Sequence, residues 1–157
     1  MFFGTSFFAV PSIEALCRSE HEVIGVVSQP DRPAGRGMNL TQTPVKKAAL
    51  AIGLDVFSPE IARNPEFIEL VRLLNPDALI VAAYGQILPQ ELLDIPPHGG
   101  INVHGSLLPK YRGAAPIQRA ILLGEEVTGI TIMQMDKGMD TGPICLKREV
   151  PIDPDDN

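Results

Sequence analysis

The sequence predicts an α/β protein on a doubly wound, mostly parallel Rossmann-like sheet that ends in an antiparallel C-terminal hairpin. Three observations carry this prediction. "EVIGVVSQ" (22–29) and "DALIVAA" (77–83) are short, nearly continuous apolar runs rich in Val and Ile, the pattern of strands covered on both faces. Segments of helical period with capping residues lie between such runs. In the last third, two strand-like runs flank the turn-rich "DKGMDTG", which suits an antiparallel pair.

Taken in order, "MFFGTSFFAV" (1–10) reads as a buried first strand and turn. It has no basic n-region and is followed by Pro11, so it does not read as a signal segment. "PSIEALCRSE" (11–20) follows as a helix with Pro11 near its first turn, and 22–29 as the second strand. "QPDRPAGRGMNLTQT" (29–43) has neither helix nor strand period, and an irregular loop of that length in a compact domain is usually functional or disordered. "PVKKAALAIG" (44–53) is a helix closing on Gly53, and "NPEFIELVRLLN" (64–75) is one capped by Asn64 before Pro65. "GINVH" (100–104) joins the strands after 77–83, giving the βαβαβ order whose ligands bind beyond the carboxyl ends of the strands. "APIQRAILLG" (115–124) is a helix, and "TGITIMQM" (128–135) and "PICLKREVPI" (143–152) form the hairpin. The chain then stops at "DPDDN" without a covering helix, which reads as a cut rather than a domain end.

The bulk properties narrow the function. A length of 157 residues with 45% hydrophobic residues suits one globular domain with a substantial core. A net charge of −6 argues against a broad positive nucleic-acid surface and leaves any polyanion to local basic loops. Cys17 and Cys145 lack CxxC or Cys/His spacing and are expected to be buried free thiols in a reducing compartment, with the cytoplasm the default. No run reaches the roughly 18 apolar residues of a membrane span.

The chemistry concentrates in "INVHGSLLPKYRG" (101–113). Asn102 and His104 share one strand face at the expected ligand edge, where the amide can donate to an oxyanion and the imidazole can exchange protons near neutral pH. Gly105, Pro109 and Gly113 set the turns of the following loop and permit close backbone approach. Asp140 in "MDKGMDTG" either serves as an Asx-type turn residue or orients His104; in the latter case amide, imidazole and carboxylate suit transfer of an activated acyl group to an external nucleophile. Asp136 is the more structural aspartate of the two. Tyr84 and Gly85, in "AAYGQILP" (82–89), form either a plain strand-to-helix turn or the wall of a flat ligand's pocket. Lys110, Arg112 and Arg119 are a solvated face or the border of the site. His21, His98 and His104 have no metal-ligand spacing, and "AGRG" falls short of a dinucleotide fingerprint.

At "NVHGSLLPKYRGAAPIQ" (102–118) and "TIMQMDKGMDTGPI" (131–144), the chain resembles the 10-formyltetrahydrofolate-dependent formyltransferases. Within them "HGSLLPKYRGAAPIQ" and "DRPAGRG" point to the methionyl-tRNA formyltransferase family. The likeness extends through "FAVPSIEAL" (8–16), "QPDRPAGRG" (29–37) and residues 81–89, and so covers essentially the whole chain. It implies the formyltransferase fold, the donor 10-formyltetrahydrofolate, the acceptor initiator methionyl-tRNA and no metal. It implies catalytic roles for Asn102, His104 and Asp140. Folate contacts fall on Ser106, Leu107, Leu108, Pro109, Tyr84, Gly85 and Asp136, and tRNA contacts on Arg36, Arg32, Lys110 and Arg112. It further implies a catalytic domain over 1–157, truncated at its C-terminal end, with a tRNA-binding β-barrel domain absent from this chain. The full-length protein is expected to be a monomer in the cytoplasm, or in an organelle's stroma or matrix in a eukaryote. "GTSFF" departs from the family's usual Gly-Thr-Pro opening, which bears on the first strand's edge and not on the site. A sugar-nucleotide N-formyltransferase, or a non-catalytic folate-binding module, are the alternatives; "GAAPIQ" and "DRPAGRG" argue against the first, and retention of all three site residues against the second.

Overall fold

The computed structural model describes residues 1–34, 38–153 and 155–156. The chain forms two compact units, residues 1–99 and 100–157.

In the first unit the strands β1 (Phe2–Gly4), β2 (Val26–Val27), β5 (Val56–Phe57) and β6 (Leu79–Ala82) make a parallel sheet in the order β5-β2-β1-β6. Phe2, Phe3, Val26, Val27, Leu79 and Ala82 are wholly buried, as continuous apolar runs between two covering layers require. Helices α1 (Val10–Cys17), α2 (Pro44–Ile52), α3 (Pro65–Leu74) and α4 (Gln90–Leu93) supply further core residues, among them Ile13, Val45, Val71 and Leu92. The helix ends follow from local chemistry. Thr43 Oγ1 accepts from the Lys46 N–H at 3.1 Å, and Asn64 Oδ1 accepts from the Glu66 N–H at 2.8 Å, each satisfying an amide that has no partner within the helix. Pro44 and Pro65 take the first helical position, where no amide hydrogen is needed. Gly53 and Asn75 close these helices in the left-handed conformation.

The expected α/β class with parallel strands and helices between them is therefore present, and the departures are local. Strand 22–29 contracts to two paired residues and 77–83 to four. The segment 29–43 is not irregular throughout: β3 (Arg32–Ala34) pairs antiparallel with β4 (Asn39–Thr41). Arg32, Pro33 and Asn39 to Thr41 are exposed, so no burial pattern marked these strands. β5 was missed because two residues carry no period. Both cysteines are free, as expected, but neither is buried: Cys17 is half-buried and Cys145 exposed.

The second unit holds β7 (Gly100–His104), α5 (Pro116–Leu122), β8 (Val127–Gln134) and β9 (Ile144–Pro151). β8 pairs antiparallel with both β7 and β9, which realises the predicted hairpin. Along β8 the side chains alternate, with Thr131 and Met133 buried. Every residue of β9 is exposed, including Ile144, Leu146 and Val150. Among the described residues no helix is long and apolar enough to cross a membrane.

Phe3 anchors the first unit's core, with Phe67 edge-on at 6.3 Å and Tyr84 edge-on at 5.5 Å. Replacing Phe3 by Ala is predicted to lower the unfolding free energy by ~3–5 kcal/mol, the usual cost of an aromatic-sized cavity. Urea unfolding measures it, and a loss below ~1 kcal/mol would contradict this packing.

Candidate active site

Asn102 and His104 sit two residues apart at the end of β7 and so project to one face. Opposite them on β8 stand Met133 and Thr131. Thr131 is fully buried, and its hydroxyl donates to the Ser106 carbonyl at 2.6 Å and accepts from the Leu108 N–H at 3.1 Å. Lys147 Nζ on β9 donates to the Leu108 carbonyl. Gly129 on β8 leaves room for Leu107, because a Cβ there would collide with that side chain and with the Arg148 carbonyl. These contacts fix the backbone after β7, where the Leu108–Pro109 peptide is cis.

The centre of the arrangement is Asp140. Its Oδ1 accepts from Asn102 Nδ2 at 3.3 Å, and its Oδ2 accepts from the Gly113 N–H at 2.8 Å. His104 Nδ1 lies 3.5 Å from the same Oδ2. The two side chains are 7% and 15% exposed, so these interactions are little diluted by water. Asp140 has φ +53°, a left-handed conformation that Asp tolerates better than most residues. The hairpin turn itself is held by Asp136, whose carboxylate accepts from the Gly138 N–H at 2.9 Å and the Thr141 hydroxyl at 2.9 Å.

The imidazole is oriented from its far side. His104 Nε2 lies 2.9 Å from the Tyr111 carbonyl, which can only accept, so Nε2 carries the hydrogen of that bond. Nδ1 is then the nitrogen turned toward Asp140. The amide is hydrogen-bonded to the carboxylate and the imidazole Nδ1 lies beside the same carboxylate, an arrangement that can hold an oxyanion and move a proton at Nδ1. Ser106 is no competing nucleophile, since its hydroxyl donates to the Lys110 carbonyl at 2.6 Å.

The other sequence-marked residues separate. Ser106 and Leu108 are buried and Leu107 half-buried, so the 106–109 segment offers its backbone more than its side chains. The Tyr84 ring is 2% exposed and packs on Phe3, and burial pushes its hydroxyl up to about 12. Its carbonyl accepts from the Thr5 hydroxyl at 2.7 Å and from Gln29 Nε2 at 3.1 Å, while Gly85 takes φ +87° against the Gln29 amide. Arg32 is exposed on β3, and Arg36 lies outside the described residues. Lys110 is ion-paired with Glu125 at 2.9 Å, and the Arg112 carbonyl accepts from Arg119 Nη1 at 3.2 Å.

Sequence reasoning missed Tyr111, Glu125 and Thr131, and marked Gly113 only as a turn that permits close backbone approach. Tyr111 and Gly113 act through backbone atoms, which no side-chain pattern reveals. Thr131 was legible only as an alternating strand position. Glu125 accepts from the Tyr111 hydroxyl at 2.6 Å as well as from Lys110, and these bonds hold its carboxyl below the usual range, Tyr111 first. A cleft of about 1010 Å³ lies over the same unit, lined by Leu107, Leu108, Tyr111, Val127 and Leu146 among others, but Asn102, His104 and Asp140 do not line it. Among the described residues no group of three or more His, Cys, Asp or Glu is placed to hold a metal ion.

The family model described as Formyl transferase matches residues 1–157. The chain is 56% identical over 155 residues to the methionyl-tRNA formyltransferase of Acetivibrio thermocellus, covering 99% of this chain and 50% of that protein. It is 57% identical over 157 residues to that of Koribacter versatilis, covering 99% and 50%. The chain thus spans about half the length of the curated relatives it matches. Among solved structures, the phosphoribosylglycinamide formyltransferase of Bacillus halodurans superposes with a TM-score of 0.78 at 23% identity, over 99% of this chain and 81% of that one. Glycinamide ribonucleotide transformylase 1 of Geobacillus kaustophilus gives 0.77 at 26%, over 99% and 84%. These likenesses show the formyltransferase fold.

Asp140→Ala is predicted to lower the unfolding free energy by ~1–3 kcal/mol, because the Asn102 amide and the Gly113 N–H lose their acceptor in a poorly hydrated place. Asp140→Asn keeps one carbonyl oxygen and should lose less. Chemical unfolding of both variants checks this; an Ala variant as stable as the parent would contradict the bonding described.

Proposed function

Because the chain belongs to the formyl transferase family, we propose that its second unit carries the catalytic centre of a methionyl-tRNA formyltransferase, which moves a formyl group from 10-formyltetrahydrofolate to the amino group of initiator methionyl-tRNA. The single observation that carries this reading is the Asp140 carboxylate drawing Asn102 and His104 together at the end of β7. The acceptor is assigned from the identity above 50% to proteins of that name.

In this reading the amine of the acceptor attacks the formyl carbon. A carbon–nitrogen bond forms to the acceptor, the carbonyl electrons move onto oxygen, and the bond to the donor's nitrogen then breaks as the carbonyl re-forms. Asn102 spends one amide hydrogen on Asp140 and keeps the other for the developing oxyanion. His104, its Nε2–H held by the Tyr111 carbonyl, presents Nδ1 on the same side. The attacking amine must lose a proton and the departing nitrogen must gain one, so the balance is a proton transfer through Nδ1 with Asp140 stabilising the charged ring. No side-chain nucleophile is needed.

The backbone of Ser106 to Pro109 is the proposed folate contact, since Thr131 and Lys147 hold its polar groups in a fixed course while Pro109 is exposed. Gly85 and the Asp136 turn are assigned to the same ligand from the family resemblance alone. Arg32, Arg36, Lys110 and Arg112 are the proposed phosphate contacts, since local guanidinium and ammonium groups are what an acidic protein has to offer a polyanion.

His104→Ala is predicted to reduce turnover in formylation of methionyl-tRNA by about a hundredfold to a thousandfold, with folate affinity nearly unchanged, because the ring acts when charge develops on the carbonyl oxygen. Initial rates and folate titration measure the two separately. Turnover near the parental value would remove His104 from the chemistry; activity only on a nucleotide sugar would change the acceptor.

A further inference from the structure

We propose that Glu125 is a positioning residue for His104, acting through Tyr111. This rests on the catalytic reading of His104 only for its effect on rate; the structural link stands on its own contacts.

Glu125 has a firm base. It follows α5, and its own N–H donates to the Ala120 carbonyl at 3.1 Å. Its carboxylate takes the Tyr111 hydroxyl at 2.6 Å and Lys110 Nζ at 2.9 and 3.2 Å. Two adjacent residues of the loop after β7 are thereby tied to the end of a helix. The guanidinium of Arg119, one turn before the helix end, lies 5.4 Å from the centre of the Tyr111 ring and steadies it from a second side.

Those same two residues turn their carbonyls inward. The Lys110 carbonyl accepts from Ser106, and the Tyr111 carbonyl from His104 Nε2. Tyr111 holds φ +57°, a conformation that a bulky aromatic residue adopts only when its surroundings impose it. The side chain is gripped outside and the carbonyl engaged inside, so releasing the outer grip frees the residue to leave this backbone state. The Nε2–H then loses its partner, and with it the constraint that keeps Nδ1 as the nitrogen facing Asp140. The hydrogen bond from Tyr111 and the Lys110 pair also keep Glu125 ionised, so the acceptor stays available.

Histidine ring 15N spectra of the protein, assigned with His104→Ala, read the tautomer directly, and solvent exchange of the Nε2 hydrogen reads its protection. Glu125→Ala is expected to speed that exchange and to lower kcat about fivefold to tenfold, with the folate KM unchanged, the effect of losing one hydrogen bond in the chain. Tyr111→Phe removes only the hydroxyl and should act in the same direction, which keeps the test decisive if the alanine variant folds poorly. Glu125→Gln retains an acceptor oxygen and should fall between parent and alanine. Parental exchange and parental tautomer in both Glu125→Ala and Tyr111→Phe would overturn the proposal. If His104→Ala itself keeps parental turnover, the catalytic reading fails, while the ring spectra still decide whether Glu125 positions the imidazole.

Discussion

The Asp140 carboxylate is the acceptor on which the site's geometry depends. Three groups converge on it from separate segments: the Asn102 amide and the His104 ring from β7, and the Gly113 amide from the loop beyond. Remove the carboxylate and no other contact among the described residues draws those three groups together at the hairpin tip. A left-handed backbone at a non-glycine residue costs about 1 kcal/mol or more, and the hydrogen bonds to two donors offset that cost. Asp136 fulfils the complementary task, holding the turn so that Asp140 arrives at the correct place. The two aspartates of "DKGMDTG" therefore divide between shaping the turn and serving the site.

Around this centre, the loop after β7 is fixed largely through main-chain atoms. Thr131 bridges Ser106 and Leu108, Lys147 adds a bond to Leu108, and Gly129 makes room for Leu107. A preorganised loop of this kind loses little entropy when it meets a flat ligand, and its dipoles need not reorganise as charge develops. The imidazole is held in the same way, with one nitrogen bonded to a carbonyl so that the other is committed to the reactive side. Its orientation is thus a property of the loop as much as of the strand.

Much of this was legible in the sequence because it follows from period and from side-chain chemistry. Asn102 and His104 at strand spacing predicted a shared face, and "NPEF" and "TPVK" predicted helix starts that the caps at Asn64 and Thr43 make. What was not legible falls into two physical classes. Backbone groups such as the Tyr111 carbonyl and the Gly113 amide leave no trace in residue identity. Long-range pairings such as Thr131 with Ser106, 25 positions apart, depend on strand register, which the hydrophobic pattern alone does not set. Tyr84, an aromatic residue beside a glycine at a strand end, reads from the sequence equally as a turn residue or a ligand wall, and only the fold shows that its ring packs in the core against Phe3.

If Asp140 acts through His104, the two residues work as a unit, and their losses do not multiply. The most direct measurement is a double-mutant cycle on formyl transfer with His104→Ala, Asp140→Ala and the pair combined, at saturating donor and acceptor. The account predicts that the double variant is no slower than the worse single variant, within about threefold. A double variant whose loss equals the product of the single losses would show that the aspartate and the histidine contribute independently, and would contradict the central role of their contact.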